Sequence, residues 1–220
     1  MENGGRKVTL VGFGYKARHG KGTAARAIHC TWPKETWIFS LADALKSFAR
    51  IAGFMDEKDG PLLQVLGTDV IRRRNPARFI DTLSRQIDEF SADYGNRYAL
   101  VTDVRFPNEA DWIVRSGGFM VNVLRTAADG STYVSPDRPA THESEVALDE
   151  YVGWHARVTA RSGDMTGLAA KSVEAFHALT KAPMPQEDVE GAARRLVLAG
   201  RSGFGTDFHK SLRELDAMLS

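Results

Sequence analysis

The residues best suited to chemistry come early, where Gly20, Lys21, Gly22 and Thr23 close a glycine-rich run that opens at Gly12. An ammonium and a hydroxyl two positions apart, at the end of a loop rich in main-chain N–H groups, make an anion-binding arrangement. Phosphate oxygens need several donors at short range, and a loop backed by a helix N-terminus supplies them. Lys21 would reach the terminal phosphates as a point charge. The strict phosphate-loop spacing G-x-x-x-x-G-K-[ST] is broken twice: Tyr15 stands at its first glycine, and Gly22 separates the lysine from the hydroxyl of Thr23. A glycine-rich turn with no ligand is the alternative reading of these residues.

Two further clusters have suitable chemistry. Leu100 to Thr102 is an apolar run that delivers the carboxylate of Asp103 at the end of a strand, where it could hold a magnesium shell or simply cap the strand. Arg105, two residues on, would point to the same side of an extended chain and could stabilise a transferring phosphoryl group. Asp43 and Lys46 are three apart and share a helical face, either orienting an acceptor or forming an exposed ion pair. The run Arg72 to Arg74 reads as a phosphate clamp or a solvated face; Arg194 and Arg195 read as a solvated face. His142 with Glu143 and Glu145 reads as a metal site, a hinge contact or, preferentially, a surface hydrogen bond. Trp112 and Phe79 are pocket walls or, preferentially, core.

The elements that must position these groups alternate. Val8 to Val11 has the pattern of a buried strand, the loop follows, and Thr23 to Ile28 has helix composition. Thr36 to Phe39, Arg97 to Thr102, Phe119 to Leu124 and Ala156 to Ala160 read as further strands. Leu41 to Ala52, Leu62 to Arg73, Phe79 to Phe90, Asn108 to Arg115 and Met165 to Thr180 read as helices. Strand followed by helix, repeated, predicts an α/β three-layer fold with a central parallel sheet. The polar stretch of about 125–142, with Asp129, Gly130 and two prolines, reads as a lid. The core is expected over 1–182 and a helical C-terminal extension over 183–220.

Composition is that of an ordinary soluble globular protein and argues against both disorder and a membrane protein. The 220 residues are 43% hydrophobic and 26% charged, with 29 Lys and Arg against 28 Asp and Glu. That balance offers no global attraction for nucleic acid, so any anion site must be local. No apolar run approaches the ~18 residues of a membrane span. The first residues lack the pattern of a signal peptide, so a cytoplasmic location is expected. Cys30 is the sole cysteine, which precludes an internal disulfide; it reads as a small buried hydrophobe.

In order and spacing, these pieces resemble the deoxynucleoside monophosphate kinases of tailed bacteriophages, a branch of the P-loop nucleoside monophosphate kinase fold. The resemblance covers about residues 8 to 180. It rests on residues 14–23, Phe39 to Lys46, Leu62 to Arg72, Asp103 to Glu109, Gly117 to Arg125, and His142 to Glu145. The ending G-K-x-T is usual in that family. The resemblance implies ATP and Mg²⁺ as cofactors and a small-molecule nucleotide as substrate, in the host cytoplasm if the chain is phage-encoded. It implies that Lys16, Ala17, Arg18, His19, Gly20, Lys21, Gly22, Thr23 and Arg138 bind ATP, and that Thr23 and Asp103 hold the metal. Asp43, Lys46, Gln64, Arg72, Arg105 and Glu109 would bind the acceptor, with Lys21, Arg105 and Arg125 acting in catalysis. Two other functions remain open: a related kinase acting on a hydroxymethylated base in DNA, and a nucleotide-binding regulator without transfer. The appended helical segments are compatible with a homodimer.

Overall fold

The computed structural model describes residues 8–51, 53, 62–63, 65–94, 97–136 and 139–184. Gln64, Arg138, Arg194, Arg195 and the expected extension from residue 185 onward lie outside the described residues.

Five parallel strands form one sheet: β1 (Thr9–Gly14), β2 (Thr36–Ser40), β3 (Tyr98–Val104), β4 (Phe119–Thr126) and β5 (Ala156–Arg161), in the order β2-β3-β1-β4-β5. The helices are α1 (Lys21–Thr31), α2 (Asp43–Ile51), α4 (Arg78–Tyr94), α5 (Pro107–Arg115), α6 (Glu143–Val146) and α7 (Met165–Thr180), with α3 (Val65–Arg72) wound as a π helix. The fold is a three-layer α/β arrangement whose sheet order is consistent with P-loop NTPase topology. Among the described residues no helix is long and apolar enough to cross a membrane.

Side-chain alternation along the strands divides the core in two. Val11, Phe13, Leu100, Val121 and Val158 face α1 and α7, where Ile28, Trp32 and Phe176 close the layer. Leu10, Val101, Val104 and Met120 face the other way, onto Leu45 of α2, Phe79 and Leu83 of α4, and Ile113 of α5. Each fully buried large side chain contributes roughly 1.5–3 kcal/mol, so both helical layers are held to the sheet by burial. Strand β1 lies between β3 and β4, and its chain leaves at the point where the strand order changes direction. Ligands of such sheets bind in the crevice at that edge.

The strands and helices expected between residues 8 and 180 form, with ends displaced by a few residues. Two details differ in kind. The segment expected as one helix over 62–73 is a π helix over Val65–Arg72, a winding that recurs near functional sites. The polar stretch after β4 begins as a short hairpin: Thr126 bridges Thr132, and Tyr133 N–H donates to Arg125 O at 2.9 Å. Cys30 is half-buried on α1, not fully buried as expected.

Candidate active site

Residues 14–20 connect β1 to α1 at the carboxyl edge. Tyr15 (φ 110°), Arg18 (φ 56°) and Gly20 (φ 92°) all adopt positive φ. A Cβ on Gly20 would also lie 2.5 Å from Leu168 Cδ2, so that side chain would have to shift. Tyr15 therefore has the conformation its glycine-type position demands, at a cost of about 1–3 kcal/mol. Its ring is supported by edge contacts to His19 and Trp154 and by the Lys16 ammonium 4.8 Å from its centre.

Lys21, 5% exposed, folds back over this loop and donates to the carbonyls of Tyr15 (3.1 Å) and Lys16 (2.5 Å). His19, 1% exposed, uses both ring nitrogens. Arg125 N–H donates to Nδ1 at 3.2 Å, and Nε2 donates to Tyr133 O at 2.9 Å. These partners assign the neutral Nε2–H tautomer. Burial pushes its pKa down to about 4, with Lys21 acting in the same direction. The expected ATP-loop residue His19 thus ties the loop to β4 and the hairpin. Arg125 completes the tie, donating to Arg18 O (3.3 Å) and Ser162 Oγ (2.9 Å) while its guanidinium carbon lies 3.8 Å from the Tyr133 ring centre.

Asp103 sits at the end of β3 with φ 61°, a left-handed conformation that Asp tolerates better than most residues. The extended geometry that would put Asp103 and Arg105 on one side is therefore interrupted, and they take different partners. Asp103 Oδ2 accepts from Lys46 Nζ (3.0 Å) and Ser40 Oγ (3.0 Å), and Lys46 also reaches Asp43 at 3.2 Å. Burial would raise the Asp103 pKa. Lys46 first, then Arg105 and Lys21, override it and hold the carboxyl well below its usual range. Lys46 pairs with Asp103 directly, while the charges of Arg105 and of Lys21, from the start of α1, act on the same carboxylate. The Asp43–Lys46 pair exists, but its lysine is shared with Asp103. Thr23, buried on the first turn of α1, accepts a long 3.4 Å contact from Arg26.

A cleft opens beside this carboxylate, lined by Leu41, Leu45, Lys46, Arg72, Phe79, Asp103 and Arg105. Arg72 is stacked 4.5 Å from the ring centres of both Phe79 and Phe106. Its Nε and Nη2 donate to Glu109 Oε1 at 3.2 and 2.6 Å. The other oxygen of Glu109 accepts the main-chain N–H groups of Arg105 (2.8 Å) and Phe106 (3.1 Å). With four donors on a carboxylate that is 1% exposed, Glu109 holds Arg72 and the start of α5 in place rather than facing the cleft. Arg73 pairs with Asp69 on the surface, and Arg74 is exposed, so only the first residue of that run turns inward. Phe79 lines the cleft, whereas Trp112 packs on the core behind it.

No protein-family model and no curated protein matches the chain. Glu145, expected only as one member of the His142 cluster with a surface hydrogen bond preferred, turns inward. It is 7% exposed, its Oε2 accepts Ala17 N–H at 2.7 Å, and its Oε1 accepts Arg105 Nη1 at 2.8 Å. Its own carbonyl accepts Lys16 Nζ at 2.6 Å. The surface hydrogen bond expected for the His142 segment holds for His142 alone, whose Nδ1 caps α6 by accepting Ser144 N–H. The available signal was spacing: Glu143 and Glu145 are two apart on one helical turn and so face different ways, and with Glu143 exposed Glu145 is the one turned toward the protein. Gly22 has only the Arg26 guanidinium within reach of a Cβ, at 3.5 Å, so the loop does not need glycine there.

Proposed function

We propose that the chain is an ATP-dependent kinase that transfers the γ-phosphoryl group to a deoxynucleoside 5′-monophosphate. The observation that carries this reading is a buried lysine, Lys21, folded over the β1–α1 loop at the same sheet edge where the strand-end carboxylate of Asp103 pairs with Lys46, beside a cleft that Arg72 and Arg105 also line. Cations collected at one sheet edge suit a reaction in which negative charge is bridged between two phosphates. The resemblance of the sequence supplies the deoxynucleotide part of the reading.

The residues fit the groups that the reaction needs. One hydroxyl (Thr23) and one carboxylate (Asp103) match Mg²⁺, which takes one or two protein oxygens and leaves the rest of its octahedron to water and phosphate. When bound, Mg²⁺ neutralises charge on the β- and γ-phosphates. The loop amides and Lys21 would hold the ATP phosphates, and Arg125 beside Arg18 and Tyr133 would flank them. Arg72, stiffened between two rings and a carboxylate, presents cationic character to the acceptor phosphate, and Lys46 adds a second charge. The acceptor oxygen attacks the γ-phosphorus, the bond to the bridging oxygen breaks, and ADP leaves. No general base is needed, because the nucleophile is already anionic. The cleft as it stands is narrow, about 60 Å³, so acceptor entry requires its walls to part.

The test is a transfer assay with ATP, Mg²⁺ and a panel of deoxynucleoside and ribonucleoside monophosphates, with products resolved by ion-exchange chromatography. ADP formed in equal amount with one diphosphate is the expected result. Label appearing in hydroxymethylated DNA, or binding of ATP with no transfer, would replace the reading by one of its two rivals.

A further inference from the structure

We propose that Glu145 is a positioning residue that sets the phosphate loop and Arg105 as one unit. Its kinetic consequence rests on the kinase reading above, whereas the coupling itself rests on geometry. The two donors that converge on it come from opposite sides of the site. Ala17 belongs to the loop, 128 residues earlier, and Arg105 follows the end of β3, 40 residues earlier. Lys16 adds a third tie, through the main-chain carbonyl of Glu145 and the carboxylate of Asp149. The short helix that carries Glu145 is capped by His142 and followed closely by Leu148, buried in the core.

A carboxylate is the group this place requires. Two N–H donors point at it, and only a carboxylate accepts on both oxygens; a glutamine would turn its NH₂ toward one of the two. Both bonds are charge-assisted and sheltered from water, which makes them short and directional. Transfer between two bound phosphates depends on their separation, and a misplacement near 1 Å can cost ~10²-fold in rate. Glu145 fixes the loop amide relative to the arginine that lines the acceptor cleft, and so governs that separation without itself touching a reacting atom.

Glu145→Gln should therefore lower kcat by ~10²-fold while KM for ATP and for the acceptor change by less than about threefold. In an Arg105→Ala background the same substitution should cost no more than about a further threefold, because the group it positions is gone. Equal multiplicative losses in both backgrounds would mean that Glu145 does not act through Arg105, and would overturn the proposal. A fall in KM for ATP would overturn it as well, by showing that the carboxylate competes with phosphate for the loop. A second measurement needs no turnover: Arg105→Lys should displace the Ala17 amide resonance in ¹⁵N–¹H spectra of the otherwise unaltered chain, and leave it unmoved in the Glu145→Gln background. An Ala17 resonance insensitive to Arg105→Lys in the Glu145 chain overturns the coupling even if Glu145→Gln does not fold. An unaltered chain that transfers to no monophosphate yet shows the displacement would remove the kinase reading and leave the positioning role standing.

Discussion

The two sides of the sheet's carboxyl edge hold their cations by different means. On the loop side, Lys21 donates to two main-chain carbonyls. On the cleft side, Lys46, Arg72 and Arg105 each face a carboxylate, from Asp103, Glu109 and Glu145 respectively. A charge resting on dipoles exchanges them for phosphate oxygens with little loss. A charge paired with a buried carboxylate is held in direction but costs several kcal/mol to strand. The loop should thus be the side where substitution costs transfer alone, and the cleft the side where it also costs folding.

The largest expected effect is on the cleft side. Glu109→Ala leaves the Arg72 guanidinium buried between Phe79 and Phe106 without its carboxylate, and removes the acceptor of two main-chain N–H groups. A loss of about 3–5 kcal/mol is expected from breaking a buried pair on one side, read as a shift of the denaturation midpoint in urea. A loss under about 1 kcal/mol would mean that water reaches Arg72, and the contrast between the two sides would fail. On the loop side, Lys21→Met should lower transfer by at least ~100-fold, about 2.7 kcal/mol of transition-state stabilisation. Its unfolding midpoint should move far less than that of Glu109→Ala. Comparable destabilisation in both variants would erase the distinction.

This contrast was only half legible in the sequence. The strand–helix alternation and the sheet class follow from local periodicity, and the edge that carries the loop follows from the glycines and Lys21. The pairing of the cleft does not. Arg72 and Glu109 are 37 residues apart, and Lys46 and Asp103 are 57 apart; which cation meets which carboxylate is decided by strand order, not by spacing. The Asp43–Lys46 spacing is visible, but the second partner that makes Lys46 part of the site is not. Tyr15 shows the opposite case. The motif marks a glycine-type position, and the backbone adopts positive φ there although the residue is tyrosine. At that position the conformation follows the loop, and the side chain bears the cost.

The loop's tie to β4 through His19 carries a pH dependence. His19 is neutral in the fold with its pKa near 4, while an unfolded chain titrates it near 6.5. Between those values the unfolded state binds a proton that the folded state refuses, so stability falls as pH drops from about 6.5 to about 4 and is insensitive to His19 above that window. The full difference is worth about 3 kcal/mol. Asp103, whose pKa is depressed, contributes in the other window: its stabilisation is present above the usual carboxylate pKa and is lost at lower pH. Urea midpoints from pH 7.5 to 4 should therefore slope downward in the wild-type chain. His19→Gln should flatten that slope; an unchanged slope would assign it to other groups and detach His19 from the contrast.

The smallest effect separates backbone strain from side-chain packing on the loop side. Tyr15→Ala loses the ring contacts to His19 and Trp154 and keeps a Cβ at φ 110°. Tyr15→Gly loses the same ring but relieves the strain. In an ordinary loop, alanine is the more stable of the two by about 0.4–1 kcal/mol, because glycine gives the unfolded chain more freedom. Relief of about 1–3 kcal/mol at this φ should reverse the order and make Tyr15→Gly the more stable by about 1 kcal/mol. Thermal unfolding of the two variants side by side decides it. The reversed order would place a conformational cost under the β1–α1 loop to set against the electrostatic cost under the cleft, whereas the ordinary order would mean that the loop relaxes once the ring is gone and that its shape is imposed by Tyr15 itself.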